Sequence, residues 1–474
     1  MLRIALIILS GSVMSSALNL LRNLGVARLV SVSDYGIAAT FAMSLAVVEM
    51  MSALGLPQQL VQDRDGDNPR MQAAMHGLQA MRGVVGSVLL FLLATPLARF
   101  LGTPEVIWAY RLLAVVPLLR GFQHLDPVRM HRRMRYLPSV LSDVVPIFLS
   151  VAAIVPLFLI YHDYRVMLYA LLIQSGTILI ATHLLAERPY RIVFDPEIGR
   201  SSLRFGWPLM VEGVMLFAVF NGDKMIVGRE MGMETLALFA MGQTLTLTPA
   251  LILAGTAAKF FLPQLSAAKK GEAFEHLAAA TIEAHLLFSG IVLLGVSIVG
   301  PPFVHFVLGP KYAGLAPLLI WFGILNALWV VKGGSGIVSL ARAHSGNALI
   351  GNIMRVGLLP VSFIIAAGGA GPESVILVAI LGELLGALVA LRVMRNQLKL
   401  PIGRMMHAMV LSLLTFMPAF FMATFDRPHH MSQISYGGLV MMIALFVLSV
   451  LSMHDLRRYL RNRQLTRHDP SDAA

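Results

Sequence analysis

No cysteine occurs among the 474 residues. That excludes disulfides, thiolate metal sites and cysteine nucleophiles, and it carries no message about redox compartment. Charge is scarce as well: 13% of the residues are Asp, Glu, Lys or Arg, against about 25% in a soluble globular chain. Acidic residues are the scarcer kind, 25 against 37 basic ones, for a formal net charge of +12. The motifs that carry common enzyme chemistry are missing too. There is no HExxH, no GxSxG, no P-loop and no Cys/His metal spacing. No catalytic centre, metal or cofactor is therefore expected. Asp65 and Asp67 in "RDGDNPR" form an Asp-x-Asp pattern, but three residues in a polar loop are read as chance. Long polar loops are lacking, which leaves no room for a folded soluble domain.

What is present is apolar. Hydrophobic residues make up 57% of the chain, and the mean hydropathy is +0.75. So much apolar surface cannot stay dry in water, so the fold expected is an all-α polytopic membrane protein. A spanning helix needs about 20 mostly apolar residues. Fourteen segments qualify: 4–28, 36–56, 73–98, 105–123, 139–161, 166–186, 207–228, 235–261, 277–300, 314–334, 347–368, 374–392, 405–424 and 434–453. The fourth is the weakest, because it holds Arg111 and Arg120. The opening "MLRIALIILSGSVMSSALNLL" has an n-region of only Met1 to Arg3 and runs on past any cleavage site, so it reads as a retained first span. With both termini in the cytoplasm, alternation leaves only five Lys or Arg in the external segments. The basic runs "VRMHRRMRY", "ERPYRIVFDPEIGRSSLR" and "DLRRYLRNRQLTR" all fall inside. Basic excess of this kind marks cytoplasmic loops and is no nucleic-acid footprint.

A faint internal repeat runs through the spans. Arg28 matches Arg229 at an offset of 201, "GLPQQL" matches "FLPQL" at 206, and "VVPLLRGF" matches "LAPLLIWF" at 200. Three matches in order predict two six-helix lobes in parallel pseudo-repeat around a central cavity, with a site near the midplane. The expected division is 1–186 for the first lobe, 187–206 for a cytoplasmic linker and 207–396 for the second lobe. Two further helices follow over 397–453, then a basic tail over 454–474.

Polar residues inside the spans are the candidates for chemistry. The first span carries Ser12, Ser15, Asn19 and Arg22 at spacings of three and four, with Asn23 beside them. The third carries His76, Gln79 and Arg82, within about 120° of one another at ~100° per residue. Glu212 and Asp223 on the seventh are eleven residues apart, close to three turns, and share a face. The eighth adds Gln243, Thr244, Thr246 and Thr248. Glu49, Asp143, Glu283, Arg355 and Glu383 are further charges inside spans.

Hydroxyls and amides in such places chiefly bond neighbouring helices, and His76 reads as a hydrogen-bonded packing residue. Arginine is different. It stays protonated, and in hydrocarbon it costs at least about 2.5–3.5 kcal/mol. Arg22, Arg82 and Arg355 lie too deep to snorkel, whereas Arg120 and Lys259 near the cytoplasmic boundary are expected to do so. Arg28 and Arg111 lie near the external face. The expectation is that at least two of the three deep arginines face a wet central cavity beside Asn19 and Gln79. Glu49 or Glu212 would be the resting partner. Guanidinium groups fork onto phosphate oxygens, which points to a carrier for a phosphorylated amphiphile. Asp223 and Lys224 in "VFNGDKMIVGRE" are adjacent and point about 100° apart. Asp223 is expected to bond another helix at a periplasmic gate, and Lys224 to snorkel outward.

Three stretches carry a family resemblance. "LLRNLGVARLVSVSDYGIAATFAMSLAVVEMMSALGLPQQLV" resembles the first helix pair of the polysaccharide-biosynthesis flippases, which belong to the multidrug/oligosaccharidyl-lipid/polysaccharide exporter superfamily. "FGWPLMVEGVMLFAVFNGDKMIVGREMG" resembles their seventh helix, and "VLGPKYAGLAPLLIWFGI" the run into the tenth. The resemblance covers residues 1 to about 450 in order. It implies movement of an undecaprenyl-pyrophosphate-linked oligosaccharide across the bacterial inner membrane by alternating access, for O-antigen or exopolysaccharide. It also implies a polysaccharide polymerase and a chain-length regulator as partners, beside the lipid-linked oligosaccharide and membrane lipid. By motif it transfers gate or coupling roles to Arg28 and Asp223 alone; Lys224 departs from the family's apolar and small residues after that Asp. Two other readings stand beside it: a multidrug exporter, whose cavity would be acidic, and a scaffold for a polymer-assembly complex, which needs no polar interior.

Overall fold

The computed structural model describes residues 2–269, 271–344, 346–425 and 433–468. Residues 469–474 of the expected basic tail, and 426–432 within the expected 397–453 region, lie outside the described residues. Among the described residues there is no strand. The helices are α1 (Leu2–Leu29), α2 (Val32–Met51), α3 (Leu56–Gln62), α4 (Pro69–Phe100), α5 (Ile107–Leu113), α6 (Val115–Gly121) and α7 (Asp126–Arg129). After them come α8 (Leu137–Ala152), α9 (Ile154–Tyr161), α10 (Arg165–Leu184), α11 (Pro196–Ala267), α12 (Glu272–Phe303) and α13 (Ala316–Leu340). The last are α14 (Gly346–Gly357), α15 (Leu359–Ala367), α16 (Pro372–Leu398), α17 (Met406–Leu414), α18 (Phe416–Phe425), α19 (Gln433–Ser452) and α20 (His454–His468).

Proline decides where several of these helices break. A proline ring clashes with the carbonyl four residues before it and offers no N–H in return. Pro117, Pro156 and Pro418 each stand four residues after a helix end, at Leu113, Ala152 and Leu414. Starts have local causes too. The Ser31 hydroxyl accepts from the Asp34 N–H at 3.0 Å to cap α2, and Asn68 accepts from the Arg70 N–H at 2.9 Å to cap α4. Inside α11 the regular path is interrupted at Gly232 (φ 83°, ψ 176°), a conformation that a side chain would strain.

Ten helical segments are long and apolar enough to cross a membrane, and the bent pair Tyr436–Ser452 and His454–Arg461 makes an eleventh. Other expected runs are arranged differently. The run 105–123 is split into α5 and α6. The runs 207–228 and 235–261 share α11. The run 4–28 lies in α1. The outward surface is apolar, as lipid requires: Leu159, Leu184 and Ile364 are each about 70% exposed or more. Ser150, Ser175, Thr246 and Ser362, by contrast, are fully buried. Two of these hydroxyls join helices inside the protein: Ser150 Oγ donates to Ala170 O at 2.8 Å, and Thr246 Oγ1 accepts from Asn326 Nδ2 at 2.8 Å. The protein is a multi-pass membrane protein.

Two compact units divide the chain, Met1–Ala240 and Met241–Ala474. The seventh expected span thus lies in the first unit. There α1 packs along α8, α8 along α10, and α4 against α5 and α6. The α4–α6 crossing is close because both sides are glycine: a Cβ on Gly83 would stand 2.5 Å from Gly121 Cα. In the second unit α13 is the central helix, between α12 and α16, and α14 lies along α16. An apolar core there joins Phe261, Phe274, Ile282, Met405 and Leu456, which seats α20 against α12.

Candidate functional site

The first unit holds a cavity of about 440 Å³, bordered by the ends of α2, α4 and α8 and by α11. Its polar lining includes Gln79, Arg82, Gln123, Ser142, Thr182 and Glu212. A second cavity of about 380 Å³ reaches Ser12, Ser15 and Gln174. Ser139, Asp143 and Ile178 line both, so the two spaces meet along the first turns of α8. Asp143 and Glu212 are exposed, and neither has a hydrogen-bond or ion-pair partner among the described residues. The first space therefore offers one guanidinium, two carboxylates, amides and hydroxyls. That set hydrogen-bonds a polyhydroxylated headgroup and presents a fork to a phosphate.

The candidates from the sequence divide between this space and its surroundings. Arg82 reaches the Ser52 carbonyl at 3.5 Å, and Gln79 donates to the carbonyls of Arg120 (3.1 Å) and Gln123 (3.2 Å). Arg22 is buried and donates to the Gln174 amide oxygen, so its resting partner is an amide and no carboxylate. Asn19 is engaged by its own helix, donating to Ser15 O at 3.0 Å. Glu49 pairs with Arg120. The charge of Glu49 also acts on Arg82, and Arg120, expected to snorkel, is held by that carboxylate. The cause is that α6 carries Arg120 past the end of α2, within reach of Glu49, and a paired carboxylate is a better neighbour there than headgroups at a distance. Arg28 is exposed in the last turn of α1, and Asp223 is buried in α11. Arg355 belongs to the second unit, buried with its Nε 3.9 Å from Glu383 Oε1.

Beside the cavity lies a charged hub that the sequence did not advertise. Asp126 and Arg129 are both fully buried, and Arg129 Nε donates to Asp126 Oδ1 at 2.6 Å. Asp126 also accepts from Gln72 Nε2 at 3.1 Å, from the Glu187 N–H at 2.8 Å and from the Arg188 N–H at 3.3 Å. Arg129 Nη1 reaches Asp67 at 3.0 Å, so one acid of the dismissed Asp-x-Asp pattern is an ion-pair partner. Burial opposes ionisation of Asp126. Arg129, the Glu187 N–H and Gln72 outweigh it and hold the carboxyl down to about 2. Asp67 is held below its usual range in the same way, against burial, by Arg129, Arg133 and Arg132. Two imidazoles extend the hub. His76 bridges the Arg191 carbonyl (3.1 Å) and the Leu125 N–H (3.1 Å), and His124 bridges Arg188 O (2.9 Å) and the Asp126 N–H (3.0 Å). Three connecting segments, 63–69, 122–136 and 187–195, are thereby tied together, and His124, Leu125, Pro127 and Val128 form one wall of the cavity.

In the second unit the residue missed by sequence reasoning is Lys332. It sits at the end of an apolar run and was masked by it. Its Nζ lies 2.7 Å from Glu383 Oε2 and donates to Asn352 Oδ1 at 3.0 Å. The sequence clue was the small-residue spacing on the two helices opposite, Gly351 on α14 and Gly382 and Gly386 on α16.

Comparison with known proteins follows this geometry. A profile of the polysaccharide biosynthesis protein family matches residues 26–317. The teichuronic acid biosynthesis protein TuaB of Bacillus subtilis (strain 168) is 23% identical over 302 residues, 62% of this chain and 62% of that one. The amylovoran biosynthesis protein AmsL of Erwinia amylovora is 24% identical over 174 residues, 35% of this chain and 44% of that one. The chain thus spans less than two thirds of the length of these curated relatives. Among solved structures, the lipid II flippase MurJ in an inward closed conformation superposes with a TM-score of 0.70 at 15% identity, covering 97% of this chain and 100% of that one. An inward-facing multidrug resistance MATE family transporter of the MOP superfamily gives 0.64 at 16% identity, covering 81% and 94%. At such identities the likeness is one of fold. With well over half its length matched by the family profile, the chain belongs to the polysaccharide biosynthesis protein family, and its fold is like that of these two solved proteins.

Proposed function

We propose that this protein is a flippase that carries an undecaprenyl-pyrophosphate-linked oligosaccharide from the cytoplasmic to the periplasmic leaflet of the bacterial inner membrane. The observation that carries the reading is the cavity of the first unit, where Arg82 stands among amides and hydroxyls inside a membrane-embedded helical bundle. A pyrophosphate meets the guanidinium, and sugar hydroxyls meet Gln79, Gln123, Ser142 and Thr182. The cavity is exposed to each leaflet in turn, and both termini lie in the cytoplasm. Arg22 supports the cavity through Gln174, while Arg28 and Asp223 serve the gate.

The test is surface glycan in a deletion strain complemented by variants at matched membrane level. The Arg22→Ala, Arg82→Ala double variant should abolish display. Arg82→Lys, which keeps the charge and loses the fork, should weaken it partly. Full display from the double variant refutes the assignment. A second reading, export of cationic amphiphiles, is favoured by the unpartnered Asp143 and Glu212 in the same space. It requires that the strain lose resistance to cationic dyes on deletion, with no change in surface glycan.

A further inference from the structure

Three apolar helices of the second unit end side by side: α12 starts at Glu272, α17 starts at Met406 and α19 stops at Ser452. There the chain bends by 59° into α20. Two side chains of α12 hold the start of α20. Glu283 Oε2 accepts from the Leu456 N–H at 2.7 Å, and His276 Nδ1 donates to Asp455 Oδ1 at 2.5 Å. Leu456 is buried, and Tyr459 lies against Phe260 and Phe261 with its hydroxyl donating to Gln264 Oε1 at 2.5 Å. The inner face of α20 is thereby fixed, and its outer face is left to the surroundings.

That outer face is cationic. The sequence of α20 holds five arginines and one acid, Asp455, which is buried against His276. Arg457 turns back onto the Met453 and Leu451 carbonyls at the end of α19. Arg458 goes the other way. Its Nη1 and Nη2 of Arg404 converge on a single atom, His276 Nε2, at 3.2 Å and 3.1 Å. A neutral imidazole offers one lone pair there, and two guanidiniums bring many donors. The acids near them are Asp455, with Oδ2 3.7 Å from Arg404 Nε, and Glu272, with Oε1 3.4 Å from His276 Nε2 and a side chain 80% exposed. A phosphate displaces Glu272 and accepts from both forks. Arg461, exposed, follows Arg458 by one turn on the same side. Apolar groups share this surface: Leu460 is 52% exposed and Phe260 37% exposed. A free phosphate ion has no use for them, whereas acyl chains do. A basic helix that leaves a span and keeps apolar side chains at its flank is the form that engages anionic headgroups.

We propose that Arg404 and Arg458, with His276 between them, bind the phosphate of an anionic phospholipid in the leaflet beside α20. The site stands apart from the cavity of the first unit and holds whatever cargo that cavity takes. The purified protein in detergent is titrated with phosphatidylglycerol, and bound lipid is counted by native mass spectrometry. Phosphatidylglycerol should bind, more weakly as salt rises. Phosphatidylcholine, whose choline offsets its own phosphate, should bind far less. Arg458→Gln should weaken phosphatidylglycerol about fivefold, and the Arg404→Gln, Arg458→Gln double variant about thirtyfold. The single variant leaves the His276–Asp455 contact in place and decides the matter should the double variant fail to fold. Arg392→Gln, Arg395→Gln removes the same charge from exposed positions on α16 and should bind like the wild type. Equal loss in that control would show diffuse attraction and overturn the site, as would wild-type affinity in Arg458→Gln or equal binding of phosphatidylcholine. Displacement of the lipid by an equal concentration of inorganic phosphate would assign the arginines to a free anion and overturn the lipid.

Discussion

Replacing Asp126 by Asn is the sharpest available test of the hub. The change keeps size and shape and removes only the charge. Each carboxylate oxygen already serves two donors: Oδ1 takes Arg129 Nε and Gln72 Nε2, and Oδ2 takes the Glu187 and Arg188 N–H groups. Whichever way the amide turns, its NH₂ faces two N–H groups. Arg129, fully buried, also loses its nearest counter-charge. Breaking one side of a buried pair costs about 3–5 kcal/mol. For a unit of this size that is a fall on the order of 10 °C in melting temperature, read by intrinsic tryptophan fluorescence in detergent. Limited proteolysis should open the 187–195 segment in parallel.

The acid limb gives a second reading of the same group. The folded carboxyl sits at about 2, below its unfolded value of about 3.9. Its contribution, roughly 2–3 kcal/mol, is therefore complete above about pH 4 and lost as pH falls towards about 2. The Asn variant should lack that step. A variant that melts within a degree of the wild type, with 187–195 still protected, would show that the hub is decoration and that the loops are held by their apolar contacts alone.

Two further outcomes are expected. Gly83→Leu should lower stability by about 1–3 kcal/mol in a melting assay, since the new side chain meets backbone at Gly121. Gly176→Leu, whose position has open space, should not. Reporter fusions after residues 62, 130, 195 and 398 should report cytoplasm and those after 163 and 371 periplasm; a periplasmic signal at 130 or 195 would refute the assigned topology.

The class of the molecule was legible because lipid imposes a one-dimensional rule: apolar runs of sufficient length become helices. Helix breaks were not read from the sequence: 105–123, 139–161 and 405–424 are each continuous in hydropathy, yet each breaks where a proline meets the carbonyl four residues before it. Partners were not legible either. Glu49 forms its ion pair with Arg120 while its charge also acts on Arg82, an arrangement made by how α2 and α6 cross. The basic run containing Arg129 reads in sequence as a topology signal. In the fold that arginine is buried against Asp126 and Asp67, because charge counting along a loop carries no depth. Lys332 was hidden for the opposite reason. One cation at the end of an apolar run looks like a snorkelling anchor until Glu383, distant in sequence, is seen beside it. Of the five residues named for a cavity, Arg82 and Gln79 line that of the first unit with Glu212 and Asp143, and Arg22, Asn19 and Arg355 do not.

The polar stripe of α1 has one more property. Ser12 donates to Ile8 O, Ser16 to Ser12 O, Asn19 to Ser15 O and Asn23 to Asn19 O, each at 2.9–3.0 Å and each within a single turn of its own helix. These side chains bring their acceptors with them. Such a helix is amphibious: it turns the same face to water or to acyl chains without first finding new partners for its donors. Four of the polar side chains of this rod can therefore change surroundings freely, whereas Arg22 on the same helix, bonded to Gln174 of α10, ties it to one neighbour.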